Sequence, residues 1–132
     1  MGSGMDSLVQ LESDSLKLWI VALLLMKHWI CDFVLQTQYQ LRFKRIYGHP
    51  GGLLHAAIHA VATGGILSLF PVSWAFVGLA MLGEFVFHYH VDWLKEKAVN
   101  RIEAPAGAGF WALFGFDQLL HQLTYVAIAA LA

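Results

Sequence analysis

The sequence predicts an all-α integral membrane protein in which four transmembrane helices form an antiparallel bundle, with both termini outside. Its 132 residues are 58% hydrophobic and 13% charged, and the mean hydropathy is +0.60. Soluble domains are about one quarter charged, and so short a chain cannot bury this much apolar surface in one soluble core. The composition excludes an ordinary cytosolic enzyme domain and a disordered chain, and the net charge of -1 excludes a nucleic-acid partner.

Four apolar segments are long enough to cross about 30 Å of hydrocarbon as helices. A polar, acidic segment at residues 1–14 comes first, and we expect it to be disordered or vector-derived. Residues 15–132 form one domain, with Asp14 or Ser15 as the expected N-cap of the first helix. A turn at Pro71 and Ser73 and a breaker run at 104–109 separate later helices. The spans are predicted at about 16–40, 51–70, 72–95 and 109–131.

Basic residues cluster in two of the predicted loops. By the positive-inside rule, these loops face the cytoplasm, so the even number of spans leaves both termini outside. The short connections between spans favour an antiparallel bundle. The basic residues are Arg42, Lys44 and Arg45 in the first loop and Lys95, Lys97 and Arg101 in the third.

Each predicted span carries one row of polar side chains spaced four residues apart, which places them on one helical face. An ionisable residue in hydrocarbon costs about 2.5–3.5 kcal/mol, so the rows must face one another inside the bundle. At about 1.5 Å per residue, the four rows also lie at one depth. In chain order the rows are His28, Asp32 and Gln36; His55 and His59; Glu84, His88 and Asp92; and Asp117 and His121.

These rows predict a metal site. Neutral imidazole and carboxylate groups bind Zn²⁺, Fe²⁺ or Mn²⁺, and a pair at i, i+4 can reach the same ion. The candidates exceed the four ligands of one tetrahedral zinc, which indicates two ions or one ion with supporting residues. Zinc is favoured, with iron or manganese as alternatives. The candidate ligands are His28, Asp32, His55, His59, His88, Asp92, Asp117 and His121.

The chain resembles an uncharacterised bacterial integral-membrane family from Trp19 onward. Four ordered motifs carry the resemblance: HxxxDFxxQ from His28, HxxxH from His55, HxxxDxxK from His88 and DQxxH from Asp117. The resemblance implies a multi-pass protein of the bacterial inner (cytoplasmic) membrane and no particular activity. A weaker likeness, to membrane-bound metal-dependent hydrolases and the zinc-dependent phospholipase C type, implies a metal cluster that cleaves phosphoesters.

The leading functional prediction is a metal-dependent hydrolase that acts on an inner-leaflet lipid or a small anionic (phospho)ester. The metal would lower the pKa of a bound water. Glu84 and Asp117 are the candidate catalytic residues, with Glu84 as the general base. Gln36 and Gln118 would hold the ligands by hydrogen bonds. The residues expected to bind an anionic head group are Lys95, Arg42, Lys44 and Arg45.

Three alternatives remain open at this point. Buried His and carboxylate chains also serve metal-ion or proton transporters, although the apolar outer halves of the spans argue against a path. The rows could instead specify packing in a structural or accessory subunit. Histidine pairs in helical bundles also hold b-type haem, which the interleaved carboxylates disfavour.

The expected partner is membrane lipid, and self-association into a homo-oligomer is left open. Lys27, on another face than His28, would reach the interface or pair with a carboxylate.

Overall fold

The computed structural model describes residues 2–102 and 107–132, and every regular element in them is helical. Half of the predicted breaker run, residues 104–106, lies outside the described residues. The elements are α1 (Gly2–Trp29), a π-helical segment (Ile30–Val34), α2 (Gln38–Phe43), α3 (Pro50–Leu67), α4 (Trp74–Val99) and α5 (Ala108–Leu131).

No helix in the described part of the chain combines the length and the apolarity that crossing a membrane requires. The predicted transmembrane bundle with both termini outside, and the multi-pass location in the bacterial inner membrane, are therefore wrong. The physical reason lies in the polar rows themselves, because they lower the apolarity of each helix. Helix α3, for example, carries both His55 and His59 within its 18 residues.

The first predicted span is not one continuous helix. Helix α1 begins at Gly2, so residues 2–14 are helical and neither Asp14 nor Ser15 caps it. A new helix, α2, then begins after Thr37, whose side chain accepts a hydrogen bond from the Gln40 backbone N–H at 3.3 Å. The Thr37 backbone N–H donates to Gln40 Oε1 at 2.8 Å. This reciprocal capping box starts a helix inside the predicted span.

Local capping also fixes the starts of α3 and α4. His49 Nδ1 accepts a hydrogen bond from the Gly51 backbone N–H at 3.1 Å, and Pro50 occupies the first turn of α3. Ser73 Oγ accepts from the Phe76 backbone N–H at 3.2 Å, so the predicted turn at Ser73 is the N-cap of α4. Each cap satisfies a backbone donor that the first helical turn leaves free.

The space between the packed helices has an apolar half and a polar half, which follow one another along the helix axes. In the apolar half α3 and α4 pack closely at Gly64. A Cβ added at this glycine of α3 would overlap the sulfur of Met81 on α4. The polar rows follow along the same helices, so the apolar core holds one side of the candidate site rigid. The buried apolar cluster comprises Ile20, Leu24, Leu67, Val77, Ala80, Tyr125, Ile128 and Ala129.

Candidate metal site

Four helical elements bring their polar rows together in the polar half of the molecule. Asp32 comes from the π-helical segment, His55 and His59 from α3, His88 from α4 and His121 from α5. Asp32 is half-buried and the other four are buried. Packing these groups away from water is costly unless they neutralise or bind one another or a cation.

One group of side chains presents four ligand atoms to a common point. Asp32 Oδ1 lies 3.1 Å from His55 Nε2 and 3.0 Å from His59 Nε2. His88 Nε2 lies 3.2 Å from His55 Nε2 and 4.0 Å from Asp32 Oδ1. Ligands about 2.0–2.1 Å from a tetrahedral zinc are about 3.3 Å apart from one another. Asp32, His55, His59 and His88 therefore form a group that could hold a metal ion, which we call the first ligand group.

The contact between Asp32 and His59 is close without meeting the geometry of a hydrogen bond. Asp32 Oδ1 and His59 Nε2 are 3.0 Å apart, yet both are buried without a hydrogen-bond partner among the described residues. Buried polar atoms are almost always paired, so each exception needs an explanation. A cation shared by the two atoms would explain this arrangement.

A π-helical turn sets the position of Asp32. The backbone N–H of Leu35 donates to the Ile30 carbonyl at 2.9 Å, five residues earlier, after α1 has ended at Trp29. Such turns are rare and occur frequently at functional sites. Here the turn changes the register of Asp32 relative to α1 and brings it to the histidines of α3.

A second group lies beside the first and shares His88 with it. His88, Asp92 and His121 also place their ligand atoms within reach of one ion, and we call them the second ligand group. His121 Nε2 lies 3.3 Å from Asp92 Oδ1 and 3.3 Å from Asp117 Oδ1. Lys44 Nζ lies 3.3 Å from Asp92 Oδ2, so a cation already neutralises part of this charge.

The two groups differ in their protonation. Burial lowers the pKa of His59 to about 3. Burial raises the pKa of Asp32, but His55 and His59 beside it outweigh this effect and hold the pKa well below its ordinary value. Burial also lowers the pKa of His121, but Asp117 and Asp92 outweigh it and raise the pKa to about 9. Burial lowers the pKa of His55, but Asp32 and Asp92 outweigh it and raise the pKa. Neutral imidazole and ionised carboxylate are the forms that bind metals, so Asp32 and His59 are in the binding form at neutral pH, whereas His55 must release its proton when an ion binds.

Gln118 and Gln36 contact the ligands. Gln118 Nε2 lies 3.3 Å from Asp32 Oδ2 and 3.3 Å from Asp117 Oδ2, so one amide donor faces both carboxylates. Gln36 Nε2 lies 3.2 Å from His55 Nδ1. His28 belongs to neither ligand group, because its ring nitrogens lie 3.0 Å from Gln118 Oε1 and 2.9 Å from the Tyr125 hydroxyl. Of the eight predicted ligands, His28 and Asp117 thus belong to neither group.

A polar cavity of about 500 Å³ opens next to the first ligand group. Asp32 lines it, together with Lys44, Lys95 and Asp117. The predicted anion-binding residues therefore separate into two sets. Lys44 and Lys95 line this cavity, whereas Arg42 and Arg45 are exposed and do not.

A buried ion pair lies behind the first ligand group, and the sequence allowed Lys27 to pair with a carboxylate without indicating which one. Lys27 Nζ reaches the interior, where it pairs with Glu84 Oε1 and lies 3.3 Å from the Tyr125 hydroxyl. Lys27 thus points into the interior and not toward the interface, which was one of the two expectations for it. The other expectation was pairing with a carboxylate. Glu84 Oε1 lies 4.0 Å from His59 Nδ1, and Glu84 does not line the polar cavity. A lysine amine cannot be buried among apolar residues without a partner. The apolar residues around Lys27 in the sequence were therefore the signal for the pair.

Comparison with known proteins gives one match. A family model described as "Protein of unknown function (DUF3307)" matches residues 20–132. No curated protein and no solved structure matches the chain.

Proposed function

The chain belongs to the DUF3307 family of proteins of unknown function, and we propose that it is a metal-dependent hydrolase of small anionic (phospho)esters. One observation carries the proposal: Asp32, His55, His59 and His88 present four ligand atoms at the edge of a cavity that contains lysines. Three imidazoles and one carboxylate suit zinc best, with Fe²⁺ or Mn²⁺ as alternatives.

Asp32 connects the metal to the substrate in this proposal. It belongs to the first ligand group and also lines the polar cavity, so a water bound to the ion would face the cavity. His88 is shared with the second ligand group. With His88 serving the second group, Asp32, His55 and His59 would hold the ion as the three protein ligands of a catalytic site, which leaves room for a water. A bound metal lowers the pKa of that water and stabilises charge on a phosphoryl oxygen.

Asp117 is the general base that the geometry favours. It lines the polar cavity, Gln118 bridges it to Asp32, and its Oδ1 lies 3.3 Å from His121 Nε2. Glu84, which the sequence favours, is occupied by Lys27 and lies outside this cavity. Asp117 would take a proton from the water as the water oxygen attacks phosphorus and the ester oxygen leaves.

Lys44 and Lys95 give the cavity its preference for anions. Both line the cavity, and each also lies near a carboxylate: Lys44 near Asp92, and Lys95 within 3.9 Å of Asp117 Oδ2. A bound divalent ion adds positive charge at the same place. We propose that the two ammonium groups and the metal together hold the phosphate of the substrate.

The experiment is hydrolysis of p-nitrophenyl phosphate and bis-p-nitrophenyl phosphate by protein loaded with zinc, iron or manganese. We expect turnover with one metal, and a loss of at least about 100-fold in Asp117→Asn at unchanged metal content. Arg101→Ala removes an exposed charge outside the cavity and is the matched control. Full activity in Asp117→Asn contradicts its role as base, and no turnover with any of the metals contradicts the hydrolase.

A structural metal site is the second candidate. The observation in its favour is that the first ligand group supplies four protein ligands, as closed structural zinc sites do. In that case the loaded protein binds metal and loses stability on chelation but hydrolyses neither ester. The same assay therefore separates the two candidates.

A further inference from the structure

His28 is a buried histidine that belongs to neither ligand group and has no part in the proposed hydrolysis. Its Nδ1 lies 2.9 Å from the Tyr125 hydroxyl, and its Nε2 lies 3.0 Å from Gln118 Oε1. Nε2 also lies 3.3 Å from Asp32 Oδ2, but of these two Nε2 contacts the one with Gln118 has the geometry of a hydrogen bond. His28 thus connects the buried Tyr125 to the side-chain amide of Gln118.

The carboxylates beside Gln118 fix the orientation of its amide. Gln118 Nε2 lies 3.3 Å from Asp32 Oδ2 and 3.3 Å from Asp117 Oδ2. Ionised carboxylates only accept hydrogen bonds, so the NH2 group of the amide must face them. An amide turned by half a rotation would point its oxygen at both carboxylates, and the three oxygens would repel one another. Gln118 Oε1 therefore faces His28, where it can only accept.

His28 Nε2 supplies the donor that this oxygen needs. Because Gln118 Oε1 carries no proton, the nitrogen 3.0 Å from it must carry one. A proton stands on Nε2 in one neutral form of the ring and in the charged form, so the requirement does not depend on the charge of His28. At the other ring nitrogen, the Tyr125 oxygen lies 3.3 Å from Lys27 Nζ. An ammonium group only donates, so the Tyr125 hydroxyl keeps its own proton available for His28 Nδ1.

We propose that His28 is a positioning residue, which holds the Gln118 amide with its NH2 group toward Asp32 and Asp117. The inference deepens the proposed function and rests on its metal site, in which Asp32 is a ligand and Asp117 the base. His28 acts on the ion only through Gln118. Hydrogen bonds that orient metal ligands in this way are worth about 10–100-fold in metal affinity.

The first test is the position of the ring proton in the unaltered protein. Nitrogen-15 NMR of histidine side chains distinguishes a proton on Nε2 from a proton on Nδ1. The signals of His28 are those that disappear in His28→Gln. We expect the His28 proton on Nε2. A ring with its proton on Nδ1 alone would leave Gln118 Oε1 without a donor and would overturn the proposal.

Two substitutions of His28 separate the donor from the volume of the ring. Glutamine places an amide NH2 near the position of Nε2, whereas the shorter asparagine reaches only the position of Nδ1. In competition with a chromogenic chelator, His28→Gln should bind zinc within about threefold of the wild-type protein, and His28→Asn about 10–100-fold more weakly. Circular dichroism melting verifies that both variants fold. Equal zinc affinities of the two variants would mean that the donor at Nε2 does not matter, and would overturn the proposal.

A double variant shows through which residue His28 acts. When Gln118→Ala has already removed the amide, His28→Asn should weaken zinc binding by at most about threefold more. A loss as large as in the wild-type background would mean that His28 acts directly on Asp32, and would overturn the proposal. Zinc affinity is independent of turnover, so a protein that binds zinc and hydrolyses no ester contradicts the hydrolase alone. Failure of the wild-type protein to bind zinc would overturn both.

Discussion

His59 Nε2 and Asp32 Oδ1 lie 3.0 Å apart, and neither atom has a hydrogen-bond partner among the described residues. The two residues come from α3 and from the π-helical segment, so the fold itself brings them together. At neutral pH His59 is a neutral imidazole, because burial lowers its pKa to about 3, so the two side chains are not an imidazolium–carboxylate ion pair. A divalent cation held by these two atoms together with His55 and His88 would account for the arrangement.

Gln118→Ala should weaken metal binding about 10–100-fold, because such outer hydrogen bonds orient the ligands. Gln118 Nε2 lies 3.3 Å from Asp32 Oδ2, the oxygen that the first ligand group does not use. Competition with a chromogenic chelator measures the affinity. Gln38→Ala, which alters another residue lining the same cavity, is the control. Equal affinities in the two variants would show that Gln118 does not hold Asp32 in place.

Lys27→Met should destabilise the protein by about 3–5 kcal/mol, because it leaves the Glu84 carboxylate buried without its cation. Both side chains are at most 4% exposed, so water cannot replace the partner. The double variant Lys27→Met/Glu84→Gln removes both charges and should recover most of the loss. Urea unfolding measures all three proteins. A double variant less stable than Lys27→Met alone would contradict a coupled pair.

Two adjacent glycines of α3 should respond in opposite directions to alanine. At Gly64 the new Cβ overlaps the Met81 side chain, so Gly64→Ala should cost about 1–3 kcal/mol by overpacking. At Gly65 the Cβ meets nothing within 4 Å, so Gly65→Ala should add about 0.5–1 kcal/mol of helix stability. Urea unfolding compares the two. Equal changes in stability would contradict the close approach of α3 and α4 at Gly64.

The metal-free protein should lose stability at alkaline pH through His121. Burial lowers the pKa of His121, but Asp117 and Asp92 outweigh it and raise the pKa to about 9, above the ordinary value of 6.5. The folded state thus holds the proton more tightly than the unfolded chain. The resulting stabilisation is complete below pH 6.5 and is lost as the pH rises through about 9.

The His121→Asn variant tests this pH dependence. Between about pH 6 and about pH 9.5, the chelator-treated wild-type protein should lose about 1–3 kcal/mol more than His121→Asn. Urea unfolding at both pH values gives the difference, and the titrating groups that do not contact His121 cancel in the comparison. Parallel pH profiles of the two proteins would mean that His121 has no raised pKa.

The spacing of the polar residues carried most of the information about the site. Side chains four residues apart share a helical face, so His55 and His59 had to point the same way. Four such rows in a short apolar chain could be stable only by facing one another. The structure places them together, and Asp32, His55, His59 and His88 form one group that could hold an ion.

Other features depend on three-dimensional packing that no single segment reveals. The spacing of His28 and Asp32 suggests equal roles, but a π-helical turn separates them and leaves His28 outside both ligand groups. Lys27 reaches the interior because Glu84, 57 residues later, receives it there. The apolar composition predicted membrane-spanning helices, but no helix in the described residues is long and apolar enough to cross a membrane. The capping box at Thr37 was readable from the sequence and would have revealed the break in the first helix.

The central claim is that the first ligand group holds a metal ion, and elemental mass spectrometry of the purified protein tests it most directly. We predict one or two ions of zinc, iron or manganese per chain in the wild-type protein, with His59→Ala losing the ion of the first group. His90→Ala removes a histidine that belongs to neither ligand group and should keep the wild-type content. Metal at background level after reconstitution, or the wild-type content in His59→Ala, would contradict the account.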